Sequence, residues 1–150
     1  MSTAAQAWYD AAADRAGLTR RQLLVWAGDR VAGGLPVFVE AARWYLDGPL
    51  DPDGLARAFA AAVASADALR MTVDEKEGWP MCRALGGDLP EAAVVDLARH
   101  AWPRRAVDEL GEAVVAACAP GRALLAAAVA RLGTDRHVLV LAQHQMVSDA

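Results

Sequence analysis

The residues best suited to chemistry lie at the end of the sequence, in the stretch LAQHQMVSDA (residues 141–150). A run of strand-forming residues there leads to His144, Gln145 and, four residues later, Asp149. A histidine can exchange protons near neutral pH, a glutamine amide donates and accepts hydrogen bonds, and an aspartate can brace a loop. The spacing points to a polar site just beyond a strand, although a histidine at a strand end more often has a structural role.

A two-residue period separates the polar side chains at this strand end. In HVLVLAQHQ (residues 137–145), one face carries Val138, Val140, Ala142 and His144, and the other carries Leu139, Leu141, Gln143 and Gln145. We therefore expect His144 and Gln145 to point to opposite sides of a sheet. Asp149 follows in the turn beyond, where polar side chains commonly meet ligands or brace a loop.

Other constellations that carry chemistry have weaker support. Ser148 and Asp149 lie near His144, but the sequence has no GxSxG elbow and no remote triad partner for a serine hydrolase. His100 and His137 are isolated, lack metal-ligand spacing and are predicted to lie on the surface. The patterns GxGxxG and GxxxxGK are absent, so nucleotide binding has no support.

The composition is that of a globular protein with a mildly acidic surface. Of the 150 residues, 55% are hydrophobic and 23% are charged, and the formal net charge is −4. Such a surface does not attract nucleic acid or anionic lipid, so neither is expected as the main partner. The N-terminus lacks the pattern of a signal peptide, and the apolar runs are too short to span a bilayer. We therefore predict a cytoplasmic protein in which Cys82 and Cys118 are reduced, buried thiols, since they form no CxxC pair.

Helix and strand signals alternate through the first half of the chain. Residues 3–16 are Ala-rich and predict a short leader helix. Thr19 is a suitable N-cap for a helix over TRRQLLVWAGDRV, which a Gly-Gly-x-Pro segment ends. VFVEAARWYL (37–46) predicts a strand. An Asp-Pro start and an apolar stripe predict a second helix over residues 51–70.

The second half of the chain completes an α/β pattern. In order, we predict a hairpin over 71–85 with its turn near Glu77-Gly78, a short strand at 93–97, a helix over 104–118, and strands over 124–132 and 137–144 around the turn Gly133-Thr134-Asp135. This order predicts an α/β (α+β) two-layer sandwich, with a mixed or antiparallel sheet and helices on one face.

Four segments in the right order resemble those of a known family. HQMVSDA resembles the HHxxxDG motif of nonribosomal peptide synthetase condensation domains, which belong with the chloramphenicol acetyltransferase-like acyltransferases. TRRQLLVW is similar to the opening SxAQxRLW motif. The family's Gly-Pro-Leu-Asp turn, followed by a helix ending in RHExLR, is similar to the segment DGPLDPDGLARAFAAAVASADALR. The hairpin that precedes the family's active-site motif is similar to LLAAAVARLGTDRHVLVLAQH. The resemblance covers residues 18–150, after a leader of residues 1–17.

The resemblance implies a two-lobed fold with the active site in a tunnel between the lobes. Carrier proteins present substrates on phosphopantetheine from opposite mouths of the tunnel, the domain itself binds no cofactor or metal, and the reaction is acyl transfer that forms an amide bond. Such domains serve secondary metabolite and antibiotic biosynthesis. A complete domain is about three times as long as this chain, which corresponds to most of an N-terminal lobe ending at the motif. We therefore expect the C-terminal lobe or neighbouring synthetase domains as partners.

The resemblance also assigns roles to individual residues. Gln145 stands at the position of the family's catalytic histidine, while His144 and Asp149 correspond to the largely architectural first histidine and aspartate. Ala150 replaces the motif's glycine and adds a Cβ there. Arg70 matches the last residue of the RHExLR segment and is expected to brace the loop electrostatically.

These departures leave more than one function open. Glutamine cannot take a proton near neutral pH. If the family's histidine acts as a base, its replacement at position 145 costs about 10²- to 10⁴-fold in rate. If the histidine mainly orients the amine, glutamine keeps part of that role. The first hypothesis is a condensation-domain lobe that is inactive as an isolated chain. The second is a degenerate, non-catalytic domain that docks a carrier protein or a tailoring enzyme. A stand-alone acyltransferase ranks third, because it needs the same second lobe.

Overall fold

A computed structural model describes residue 11, residues 15–87 and residues 89–148. The helices bounded within these ranges are α1 (Arg20–Ala32), α2 (Pro52–Ser65) and α3 (Pro103–Ala117). The strands are β1 (Val39–Asp47), β2 (Met71–Lys76), β3 (Trp79–Ala84), β4 (Ala92–Asp96), β5 (Leu125–Arg131) and β6 (Arg136–His144). Asp149, Ala150 and most of the predicted leader helix lie outside the described residues.

Four of the strands form one mixed sheet in the order β1-β6-β5-β4. β6 is antiparallel to both of its neighbours, β1 and β5, whereas β4 runs parallel to β5. β2 and β3 form a separate hairpin, and Glu77 and Gly78 at its turn both have positive φ (55° and 75°), as a two-residue hairpin turn of type I′ requires. The predicted α/β class with a mixed sheet is confirmed.

The two long helices pack on opposite faces of the sheet, which differs from the expected placement on one face. α3 covers the face that carries Val138 and Val140 of β6. α2 packs, through Leu55 and Phe59, on the face that carries Leu139. The physical reason is that successive residues of β6 are apolar, so both faces of this inner strand must be shielded from water.

α1 begins and ends where local sequence signals place it. The Thr19 side chain accepts a hydrogen bond from the backbone N–H of Gln22, whose side chain accepts in turn from the Thr19 N–H, so the two residues form a capping box. Gly33 follows the last turn with φ 64°, a left-handed conformation that glycine adopts without strain. The predicted helix is confirmed.

α2 is shorter than predicted. It ends at Ser65, and a 3₁₀ turn over Asp67–Arg70 follows instead of continued α-helix. Ala66 between them is extended (φ −126°, ψ 117°), a conformation that an α-helix cannot contain. The break lets the chain change direction, because β2 begins immediately afterwards at Met71.

A second apolar cluster lies beyond the end of β6 and holds the turn that follows the strand. It joins α1 and the residues just before it, the β2–β3 hairpin, the residue before β5 and the turn after β6. Its buried members are Ala16, Leu18, Val25, Val73, Leu124, Met146 and Val147. Met146 is fully buried there. The residues next to the candidate site are therefore part of a packed core, which limits their motion.

The two histidines outside the candidate site, His100 and His137, differ in burial. His137, which was predicted to be at the surface, is only 2% exposed, because it lies within β6 between Leu46 of β1 and Arg131 of β5. His100 is exposed, as predicted. Within the described ranges, no helix combines the length and apolar character needed to cross a bilayer.

Candidate active site at the end of β6

His144 is the last residue of β6, and its side chain is completely buried. Nδ1 accepts a hydrogen bond from the backbone N–H of Met146 at 3.3 Å, so the proton resides on Nε2, which lies 3.4 Å from Oδ1 of Asp29 in α1. Burial lowers the pKa of His144 below 6.5, while the hydrogen bond and charge of Asp29 act in the opposite direction. The neutral imidazole thus holds the turn and has no surface with which to touch a substrate.

Gln145 points to the other side of β6, as predicted. Its backbone N–H donates to the carbonyl oxygen of Phe38 at 2.8 Å, which extends the β1–β6 ladder by one pair. Its side-chain Nε2 donates to Oε1 of Glu40 at 3.2 Å. Gln145 is partly exposed and can therefore meet a ligand, whereas His144 cannot.

Gln22 anchors the turn that carries these residues. It is 5% exposed, and its Nε2 donates to the carbonyl oxygen of Met146 at 2.8 Å. Its Oε1 is held by the N–H of Thr19 at 2.8 Å. The capping box of α1 therefore also fixes the polar turn after β6, and the two hydrogen bonds together leave the Gln22 amide little freedom to rotate.

Arg70 is not joined to His144 or Gln145 by a hydrogen bond or an ion pair within the described residues. Its guanidinium pairs with Asp67 in the same 3₁₀ turn. Its Nε is buried and has no hydrogen-bond partner among the described residues. Asp149, which Arg70 was expected to brace, lies outside the described residues, so that role stays a prediction.

Sequence reasoning missed two acidic residues that contact the site. Asp29 and Glu40 lie 115 and 105 residues before their partners, His144 and Gln145, on a helix and a strand with no catalytic motif. No local spacing could have identified them. For Glu40 the signal is the pairing of β1 with β6, because its register places Glu40 opposite Gln143, two residues before Gln145.

The site can orient polar groups, but its partly exposed glutamine cannot transfer a proton. The Asp29 carboxylate, 20% exposed, also lines a cleft of about 680 Å³ between the end of α1, β1 and α3. Cys118 lines the same cleft, and burial raises the pKa of its thiol to about 11, so it is not a nucleophile near neutral pH. Among the described residues, no group of three or more His, Cys, Asp or Glu side chains could hold a metal ion.

No protein-family model matches this sequence, and no curated protein is a recognisable relative. The fold, in contrast, matches solved structures. The starter condensation domain of rhizomide synthetase RzmA, a variant crystallised with C8-CoA, superposes with a TM-score of 0.74 at 19% identity over 85% of this chain. The first condensation domain of the calcium-dependent antibiotic synthetase, in complex with a substrate analogue, gives a TM-score of 0.71 at 25% identity over 85% of this chain.

The chain has the fold of one lobe of a condensation domain. It spans 30% of the RzmA structure and 32% of the antibiotic synthetase structure, so it corresponds to about a third of each. Within this fold, the polar turn after β6 presents Gln145 and Glu40 on one side of the sheet and encloses His144 on the other.

Proposed function

We propose that the chain is a condensation-domain lobe of a nonribosomal peptide synthetase-type enzyme, which forms amide bonds between substrates held on carrier proteins. The observation that carries the proposal is the condensation-domain fold, matched over 85% of the chain, with a polar turn at the end of its inner strand. The second lobe, from a longer polypeptide or a partner, supplies the other wall of the tunnel.

In this reaction the amine nitrogen of the acceptor attacks the thioester carbonyl carbon of the donor. The new C–N bond forms, the C–S bond breaks, and the departing phosphopantetheine sulfur takes the proton that the amine loses. Gln145 contributes by orienting the amine through a hydrogen bond, because an amide cannot serve as the base. Phosphopantetheine arrives with the carrier proteins, and no cofactor resides in this lobe.

The remaining site residues act on the loop. His144 fills the interior beneath the turn and keeps Gln145 at the end of β6. In the proposal, Asp149 shapes the loop, Arg70 braces it, and Ala150 adds a side chain where the family has glycine. The Nε of Arg70 is buried and lacks a partner within the described residues. Because buried polar groups are normally hydrogen-bonded, this supports the proposal that a charged group lies beside this arginine. The protein acts in the cytoplasm, where synthetases and their carrier proteins meet.

The test is to titrate loaded carrier proteins against the 150-residue chain and then to assay condensation with a condensation-domain C-terminal lobe supplied in trans. We expect saturable binding of a carrier protein, no turnover by the chain alone and amide product only when both lobes are present. Absence of both carrier binding and product would overturn the proposal.

A second candidate is a non-catalytic lobe retained to dock a carrier protein or a tailoring enzyme. The observation that favours it is Gln145 itself, which stands where the family places its catalytic histidine. This candidate predicts carrier binding without product even when the second lobe is present. The same two measurements therefore separate the candidates, since only the first yields amide.

A further inference from the structure

Glu40 lies on the same side of the sheet as Gln145 and contacts its side chain. The β1–β6 register pairs Val39 with His144, and the next pair is made by Phe38 and Gln145 through a backbone hydrogen bond of 2.8 Å. Glu40 is therefore the diagonal cross-strand neighbour of Gln145 on one face of the sheet. The 3.2 Å contact between Gln145 Nε2 and Glu40 Oε1 follows from this register.

The chemistry of the two groups fixes the orientation of the amide. An ionised carboxylate has no proton to donate, so it must face the NH₂ end of Gln145 and not its carbonyl end. This leaves Gln145 Oε1 and the second carboxylate oxygen without hydrogen-bond partners among the described residues. Both groups are at least partly exposed, and the pair carries one negative charge.

We propose that Glu40 is the positioning residue of this site, holding the Gln145 amide so that its carbonyl oxygen receives an N–H group of the acceptor amine. The inference rests on the proposed function. A negatively charged pair with two acceptor oxygens that have no partner in the described part of the chain attracts an amine or ammonium group and repels an oxyanion. The role of the pair is therefore to seat the attacking amine, while stabilisation of the tetrahedral intermediate falls to other groups of the complete domain.

The contact is tested by following the side-chain NH₂ resonances of Gln145 by NMR between pH 3 and pH 7 in the 150-residue chain. We expect them to shift when the neighbouring carboxylate takes up a proton, because protonation changes the acceptor that faces the Gln145 NH₂ group, and to lose this shift in Glu40→Gln. The amide of Gln22 is the internal control, because it donates to the Met146 carbonyl, which does not titrate. Asp47→Asn is the matched variant, since Asp47 is an exposed acid at the far end of β1.

Each result decides the assignment. A pH-dependent shift at Gln145 that survives in Asp47→Asn and disappears in Glu40→Gln supports Glu40 as the positioning residue. A Gln145 resonance that ignores pH, or that titrates equally in Glu40→Gln, overturns it. Glu40 is exposed, so neither variant opens a cavity in the core.

The kinetic consequence is measured in the two-lobe condensation assay. Glu40→Ala should lower the rate about three- to tenfold, as expected for one lost hydrogen bond, and should have no further effect in a Gln145→Ala background. An equal loss in both backgrounds would mean that Glu40 does not act through Gln145. The NMR titration needs no turnover, so it tests the Glu40–Gln145 contact separately from the proposed function. If the contact is detected but the chain binds no carrier protein, the contact is established and the proposed function is overturned.

Discussion

The imidazole of His144 and the carboxylate of Asp29 meet at 3.4 Å, although 115 residues separate them in the sequence. The contact joins the third turn of α1 to the end of β6 and places a fully buried histidine against a carboxylate that is 20% exposed. Because the Met146 N–H occupies Nδ1, the contact selects a single tautomer of His144. The turn that carries Gln145 is thus held by a polar contact inside the protein.

Replacing Asp29 with Asn should lower the pKa of His144 further. Burial already depresses this pKa, and the hydrogen bond and charge of Asp29 are what oppose the burial. Without the charge, burial is less strongly opposed, so the pKa is expected to lie further below 6.5 than in the native protein. Titrating the His144 ring resonances by NMR measures this. A pKa that rises or stays constant in Asp29→Asn would show that the carboxylate does not act on the imidazole.

The stability of the protein should fall as the pH drops from 7.5 to 5.5. The pKa of His144 is lower in the folded protein than its ordinary value of 6.5, so below pH 6.5 the unfolded chain binds a proton that the folded protein does not. This loss of stability is absent above pH 6.5 and grows as the pH falls, until the pH reaches the pKa of His144 in the folded protein. Urea unfolding at three pH values measures the slope, and His144→Gln should flatten it. An unchanged slope in that variant would assign the effect to other groups.

Removing the Gln22 side chain should destabilise the fold and loosen the turn after β6. Gln22→Ala leaves the buried carbonyl of Met146 without its donor and removes half of the capping box, so the expected loss in free energy of unfolding is about 1–3 kcal/mol. Gln143→Ala is the matched control, because Gln143 is partly exposed and makes no side-chain hydrogen bond within the described residues. Urea unfolding compares the two, and similar losses would contradict the anchoring role of Gln22.

How far the sequence predicts the structure depends on the range of the interactions involved. Thr19 and the Gly33 turn are local signals, and both mark the ends of α1 as predicted. The period of β6 placed His144 and Gln145 on opposite sides without any tertiary information. The early end of α2 at Ser65 was not predictable from propensity, since the following residues favour helix and the break serves the entry into β2.

The candidate site itself was only half predictable. A motif-like stretch identifies His144 and Gln145, but their partners come from elements that have no motif of their own. Asp29 was hidden within an ordinary polar helix face and Glu40 within a strand, and each matters only through a contact made when the chain folds. Sequence patterns report local structure and backbone register, whereas the electrostatic environment of a site is a tertiary property.

The two cysteines should react with thiol reagents at very different rates in the native protein. Cys118 is 4% exposed and donates to the carbonyl of Ala142 at 3.2 Å, and burial raises its pKa to about 11, so only about 0.1% of it is thiolate at pH 8. Cys82 is partly exposed, and its pKa is also raised by burial. We expect one faster-reacting thiol, which Cys82→Ser removes. A fast phase that survives in that variant would place Cys118 in contact with solvent.

Replacing Gln145 with His should raise condensation by the two-lobe assembly. The change introduces a group that can take a proton near neutral pH at the partly exposed position beside Glu40, and a positioned base contributes about 10²- to 10⁴-fold to rate. Gln143→His is the matched control, because Gln143 lies two residues earlier on the same face of β6 and directly opposite Glu40. Rates of amide formation with identical carrier-bound substrates provide the measurement. Equal rates in the two variants would show that the missing base does not limit the reaction. The same conclusion follows if Gln145→His does not raise the rate while the chain still binds carrier proteins. Either result favours a docking role over catalysis.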